Sequence, residues 1–261
     1  MIPLCDAHAH LADARVFPQH QALLEECRRH GMERVLVNAA QVSEWGNVMA
    51  LMQREGVLGA LGVHPFWPEQ WDDTAERELL AHLQDPALRG RIVAIGEIGL
   101  DFWNGRDNAR RQIEALARQL QIAREFHLPV CLHNRKSWED FFGIVRDFGW
   151  NELRGYCHNF IAGTDIARRA LDLGLHLSFN KPLLNPDARK VRASAAYAPL
   201  DRLLTETDSP DILPSPIHVS DILAALAQIR NLPVDAFASQ IVLNFQSLFE
   251  APLISREEVL H

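Results

Sequence analysis

Six side chains able to bind metal ions or move protons stand at the ends of short apolar runs. His8 and His10 close DAHAH, Glu97 sits in IGEIGLD, His133 in CLHNR, His158 in YCHNF and Asp208 in TETDSP. In an extended segment residues i and i+2 point the same way, so His8 and His10 present two imidazoles to one ion. Four imidazoles and two carboxylates suit zinc, manganese, nickel or iron better than calcium. Six ligands exceed the needs of one tetrahedral ion. They point to two divalent ions (zinc, magnesium, manganese or nickel) sharing a carboxylate, typically ~3.5–4 Å apart, and hence to hydrolysis by an activated water. His64, in GVHP, also ends an apolar run but stands outside this set. The other histidines (His20, His30, His82, His127, His176, His218 and His261) fall on expected helix faces, helix ends, a loop or the tail and need no chemical role.

The elements that must position these residues alternate along the chain. Apolar runs at 2–7, 34–39, 57–63, 92–95, 129–132, 154–157, 175–179 and 202–206 predict eight strands. Most are continuously apolar, as expected of parallel strands covered on both faces. Amphipathic stretches predict helices at 19–30, 43–54, 74–84, 109–126, 137–148, 164–173, 186–197 and 217–230, with a closing helix at 234–249. The clearest stripe is Ile113, Leu116, Leu120 and Ala123. Gly31, Gly149 and Gly174 stand where helices end. Repeated βα units imply right-handed crossovers, and eight of them close as an α/β protein of the (β/α)8 TIM-barrel type, one domain over 1–261. A doubly wound open sheet is the competitor; no GxGxxG follows the first strand, which weakens it. In a TIM barrel the C-terminal strand ends share one mouth, so all six candidate ligands meet there.

Composition narrows the partners. The 261 residues are 48% hydrophobic and 23% charged, with net charge −8 and pI near 5.8. A chain gripping phosphates over a broad basic surface would carry the opposite sign, so any nucleic acid must be held locally. Cys5, Cys27, Cys131 and Cys157 form no CxxC pair and fit free thiols in a reducing compartment. No signal peptide and no membrane-spanning run is visible, which leads us to expect a cytoplasmic monomer without a membrane partner.

The same segments resemble the TatD family of metal-dependent deoxyribonucleases, a branch of the amidohydrolase-like barrels, nearly end to end. DAHAHL is similar to the family's HxH opening, GVHP to its third-strand histidine and IGEIGLDFW to its most distinctive segment. Gln112, Leu116 and Gln119 fall in its glutamine-rich helix. LPVCLHNR, YCHNFIAG and LLTETDSP match its later strands, and Asn244 and Phe249, in NFQSLF, its closing helix. The resemblance implies that His8, His10, Glu97 and Asp208 hold one ion. It implies that Glu97, His133 and His158 hold the other, with Glu97 bridging and catalytic. On this reading Asp208 is the general base and the substrate is DNA or a small phosphodiester, cut from the 3′ end of a single strand. Arg135 would pair with phosphate as a fork and His64 would contact substrate. Asp101 would orient a ligand histidine or cap a loop. Trp67, Trp103, Phe160 and Phe179 follow strands near the mouth, where aromatics more often pack but can also stack bases. The loop after Asp208 reads DILPSPIHVSDI and lacks the family's Gly-Lys/Arg-x-Asn-x-Pro stretch; this bears on substrate identity rather than on the metal site. Hydrolysis of an amide, a lactone or an aminoacyl-tRNA ester is the alternative. A non-catalytic metal-binding scaffold would lack a ligand or the base, and neither is missing.

Overall fold

The computed structural model describes residues 2–250; Met1 and 251–261, including the tail residue His261 and both ends of the expected 1–261 domain, lie outside the described residues. The strands are β1 Leu4–Ala9, β2 Met32–Asn38, β3 Val57–Leu61, β4 Ile92–Asp101, β5 Val130–Arg135, β6 Gly155–Cys157, β7 His176–Phe179 and β8 Leu203–Thr205. The helices are α1 His20–Arg29, α2 Trp45–Leu51, α3 Asp73–Gln84, α4 Ala109–Glu125, α5 Trp138–Asp147, α6 Thr164–Asp172, α7 Arg189–Tyr197, α8 Val219–Arg230 and α9 Val234–Phe249. Each strand pairs in parallel with the next in chain order. The chain is a (β/α)8 TIM barrel.

The seam between β1 and β8 is closed by scattered bonds rather than a regular ladder. Thr205 Oγ1 donates to the Cys5 carbonyl at 3.0 Å and the Asp208 amide to the His8 carbonyl at 2.9 Å. The His10 amide donates to the Ser209 carbonyl at 2.7 Å, and buried Asp6 accepts from the Thr207 amide at 3.0 Å. Three candidate ligands, His8, His10 and Asp208, are fixed by this seam.

Strand alternation divides the core into two layers. Outward residues such as Val35, Val37, Leu61, Val130, Leu132 and Leu177 pack on the helices. Inward residues such as Cys5, Leu36, Ala60, Cys131, Tyr156 and Leu204 pack together with Val242, Phe245, Leu248 and Phe249 of α9. The end of α9 is anchored to strand starts. Arg154 donates to the Leu248 carbonyl at 2.5 Å and Arg34 to Glu250 at 2.7 Å, so this helix plugs the barrel opposite its mouth.

The strand that differs most from its expected length is β4. β4 runs on to Asp101, where the apolar run alone ends at Ile95, and Glu97 therefore sits inside a strand. Gly96 and Gly99 interrupt the apolar pattern, yet the fold requires them. A Cβ on Gly96 would collide with Cys131, and one on Gly99 (φ +156) with the His133 carbonyl. The two glycines let β4 press against β5 on either side of Glu97. The glutamines of α4 then brace the strand ends. Gln112 accepts from the Asp101 amide at 2.8 Å, and Gln119 accepts from the Val63 amide at 2.8 Å. All four cysteines are buried free thiols. Among the described residues no helix is long and apolar enough to cross a membrane.

Candidate metal centre

The strand ends enclose a mouth cavity of about 630 Å³, lined by His10, His64, Glu97, His133, Arg135, His158 and Asp208 among others. Glu97, 2% exposed, lies between two groups of imidazoles. Its Oε2 is 3.2 Å from His8 Nε2 and 3.3 Å from His10 Nε2. Its Oε1 is 2.9 Å from His133 Nδ1 and 3.7 Å from His158 Nε2. Asp208 reaches both groups, with Oδ1 3.3 Å from His10 Nε2 and Oδ2 3.4 Å from His158 Nε2. The six residues expected from the sequence to bind metal are thus brought together, and one carboxylate faces both sides.

The far nitrogen of each imidazole shows what the near one can do. His10 Nδ1 lies 3.1 Å from the Asn38 carbonyl, which only accepts, so the proton is on Nδ1 and the Nε2 lone pair faces the centre. Tyr156 donates its hydroxyl proton to the Ala7 carbonyl at 2.7 Å and so accepts from His8 Nδ1 at 3.2 Å. Cys131 Sγ lies 3.1 Å from the same nitrogen. His133 Nε2 donates to Asp101 Oδ2 at 2.9 Å, and His158 Nδ1 is 2.8 Å from Glu206 Oε1. For His8, His10 and His133 an acceptor behind the ring holds the far nitrogen, which leaves the near one to face the centre, the usual setting of metal-bound histidine. At His158 the Glu206 carboxylate stands beside Nδ1 but out of line for a hydrogen bond. His8 Nε2 and His10 Nε2 face each other at 3.1 Å; two such lone pairs repel unless a cation lies between them. The donor set therefore fits divalent ions.

His64 is wired the other way. The Phe66 amide donates to its Nδ1 at 3.0 Å, so the neutral ring carries its proton on Nε2, directed at Glu97 Oε1 3.4 Å away. Burial pulls its pKa down to about 4, which keeps the ring neutral. His64 with Glu97 and His133 is close enough to clasp an ion, but its lone pair already serves the backbone. It is a hydrogen-bond donor to the mouth.

Burial opposes ionisation of Glu97, yet His64, His158, His8 and His10 together hold its carboxyl well below the usual range. Asp208 is likewise buried, and His158 and His10 keep it well below the usual range. Both carboxylates are charged at neutral pH.

Several contributors escape a reading by motif. Glu206 is fully buried, accepts from the Asn159 amide at 2.7 Å and backs His158. It is two residues from Asp208 in TETDSP and carried that much signal. Tyr156 and the Asn38 carbonyl carried none, because one lies in an apolar run and the other is backbone. Asp101 performs both of its expected roles, facing His133 through Oδ2 and accepting from the Trp103 amide through Oδ1 at 2.8 Å. The aromatic set needs correction. Phe160 and Phe179 are 1% and 0% exposed, because they are core residues whose rings meet at 6.1 Å. The aromatic rings that line the mouth are Phe66, 49% exposed and packed edge-on against His64, and the half-buried Trp67, as expected; Trp103, 51% exposed, stands beside the mouth under Arg135. Arg135 lines the cavity with its guanidinium 4.0 Å above the Trp103 ring.

Similarity to known proteins agrees with this geometry. The family model described as TatD related DNase matches residues 5–250. YcfH of Escherichia coli K12, named as an uncharacterized metal-dependent hydrolase, is 30% identical over 94% of this chain and 95% of its own. The 3′-5′ ssDNA/RNA exonuclease TatD of Erwinia amylovora is 27% identical over 94% of this chain and 98% of its own. The crystal structure of YjjV, a TatD homologue from E. coli K12, superposes with a TM-score of 0.87 at 28% identity, covering 95% of this chain and 98% of that one. With a barrel, a mouth and a divided ligand set of this kind, the chain belongs to the TatD family of metal-dependent hydrolases.

Proposed function

We propose that this hydrolase cleaves phosphodiester bonds at a two-ion centre, removing nucleotides from the 3′ ends of single-stranded DNA. The observation that carries the reading is Glu97, whose two oxygens face separate sets of imidazoles. His8, His10, Glu97 and Asp208 would hold one ion, and Glu97, His133 and His158 the other. Such a pair supplies Lewis acidity and a water acidified to roughly neutral pKa. The chain's own groups do the rest. Asp208 is ionised, lines the cavity and receives the proton of the attacking water. The His64 Nε2–H offers a hydrogen bond to a non-bridging phosphate oxygen. Arg135 can swing from Trp103 to pair with that phosphate as a fork. Asp101 and Tyr156 keep two imidazoles in register, and Glu206 sets its carboxylate beside the ring of His158. The name of the Erwinia relative supports this substrate class.

A second reading is favoured by one feature of the rim. Arg15 is bound by Asp13 at 2.7 Å and by Asp211 of the loop after β8 at 2.8 Å. Among the described residues that side of the mouth thus presents carboxylates and no free cation, which suits a small amide, lactone or aminoacyl ester. The test is release of nucleotides from a 3′-labelled single strand with Mn²⁺ or Mg²⁺, beside an Asp208→Ala control. Release that disappears in the control supports the nuclease. No release from protein holding metal would sink it and leave the small-substrate panel to be tried.

A further inference from the structure

The loops around the mouth differ in charge, and the difference follows the order of the strands. After β8 and β1 stand Asp211 and Asp13, with Arg15 held between them. Arg135 ends β5 and Lys136 follows it, and after β7 come Lys181, Arg189, Lys190 and Arg192. Lys181, Arg189 and Lys190 are exposed, and none of these three has a carboxylate within 4.0 Å among the described residues. The carboxylates that open α5 are already taken: Asp140 pairs with Arg106 and Glu139 with Arg169. Asp165 and Asp187 are the other acids in this sector. In a chain of net charge −8, cations are thus gathered on one side of the mouth.

Two further details connect this sector with the cavity. Pro182, next to Lys181, and Ile161 of the loop after β6 both line the mouth, and Ile161 is 51% exposed. The first turn of α7 carries Arg189 and Lys190 and no acid. A helix start favours anions, so these cations work against the helix they sit on and do not serve its stability. Arg192 braces the approach by donating to the Leu183 carbonyl at 3.0 Å.

We infer that the β5–β7 sector is the path of the strand leaving the mouth, with Lys181, Arg189 and Lys190 holding backbone phosphates of nucleotides beyond the scissile one. The inference rests on the phosphodiesterase reading above and adds where a longer substrate lies. A strand laid over loops 8 and 1 would meet Asp13 and Asp211; laid over loops 5 to 7 it meets cations and the apolar Ile161 and Leu184. A dinucleotide would reach the mouth alone, whereas a longer strand would also use the track.

The experiment compares the wild-type chain with a triple variant, Lys181→Glu, Arg189→Glu and Lys190→Glu. The ligands are a fluorescent 20-nucleotide thymidine strand and a thymidine dinucleotide, with Mn²⁺ present. Binding of the long strand should weaken roughly tenfold or more, and its log–log salt slope should become shallower by about 0.7 for each phosphate the variant no longer holds. KM for the long strand should rise in step while kcat/KM for the dinucleotide stays within about twofold. New acids at the start of α7 favour that helix, so the melting temperature should not fall. Unchanged affinity and salt slope would overturn the inference, as would equal losses on both lengths. If the metal-loaded wild type cleaves neither ligand yet the variant loses long-strand binding, the nuclease reading falls and the track stands.

Discussion

The two ends of this barrel are built from the same strands and solve opposite problems. At the base, Cys5, Leu36, Val93 and Leu204 fill the tube, and Phe245, Leu248 and Phe249 of α9 seal it. At the mouth the side chains are imidazoles and carboxylates, each turned by a specific partner behind it. Apolar contact is non-directional, so the base requires volume and little else. A ligand set requires one nitrogen of each ring to face inward, so the mouth requires hydrogen bonds of defined polarity. Tyr156 belongs to both ends: its ring meets Phe249 at 5.7 Å and its hydroxyl meets His8 at 3.2 Å. Mouth substitutions should therefore cost activity and leave the fold standing, while base substitutions should do the reverse.

The largest expected effect is Asp208→Asn, which should lower kcat by ~10²–10⁴-fold with little change in thermal unfolding. Steady-state rates beside a melting curve check both halves; a collapsed fold would break the division between the ends. At the base, Phe245→Ala should cost about 3–5 kcal/mol, since a fully buried ring is removed from the plug. Denaturant unfolding measures it, and per-molecule activity of the folded fraction should hold. Next comes His176, at the start of β7 and 6% exposed. Burial pulls its pKa from 6.5 to about 4, with Arg202 adding to the effect. The unfolded chain then binds one more proton between these pH values, so this contribution is whole above pH 6.5 and lost as pH falls toward 4. It amounts to about 3 kcal/mol in all, and His176→Gln should flatten the stability-versus-pH slope there by roughly 1.4 kcal/mol per pH unit. An unaltered slope would assign the acid sensitivity to other groups. The smallest effect, and the sharpest for the comparison, is Tyr156→Phe. It keeps the ring in the plug and removes the acceptor behind His8, so metal affinity should fall about 10–100-fold while stability changes by only about 1 kcal/mol. Titration of the metal-free chain with Zn²⁺ against a chelator reads the first; a stability loss with unchanged affinity would place Tyr156 wholly at the base.

Much of this was legible along the chain. The alternation of apolar runs and amphipathic stretches specifies parallel strands and covering helices, because each side chain must find its layer. Six residues at strand ends specify a candidate ligand set, because the barrel brings those ends to one mouth whatever the loops do. Less legible was the length of β4, since Gly96 and Gly99 are poor strand formers whose need arises only from the close approach of β5. For a related reason the sequence leaves the aromatic set open between packing and stacking. Phe160 and Phe66 each follow a strand, but which ring turns into the core depends on neighbours far along the chain.

The sequence by itself thus determined the fold class and the family, and it named the residues that the fold gathers at the mouth, because these rest on residue type and spacing. Only the tertiary structure decided which nitrogen each histidine turns inward. His64 and His133 look equivalent in sequence, each ending an apolar run, yet a backbone amide donates to one and the Asp101 carboxylate accepts from the other. The partner behind the ring sets the tautomer, so that His64 turns an N–H toward Glu97 where His133 turns a lone pair. For His8 and His10 that partner lies in another strand, supplied by Tyr156 and the Asn38 carbonyl.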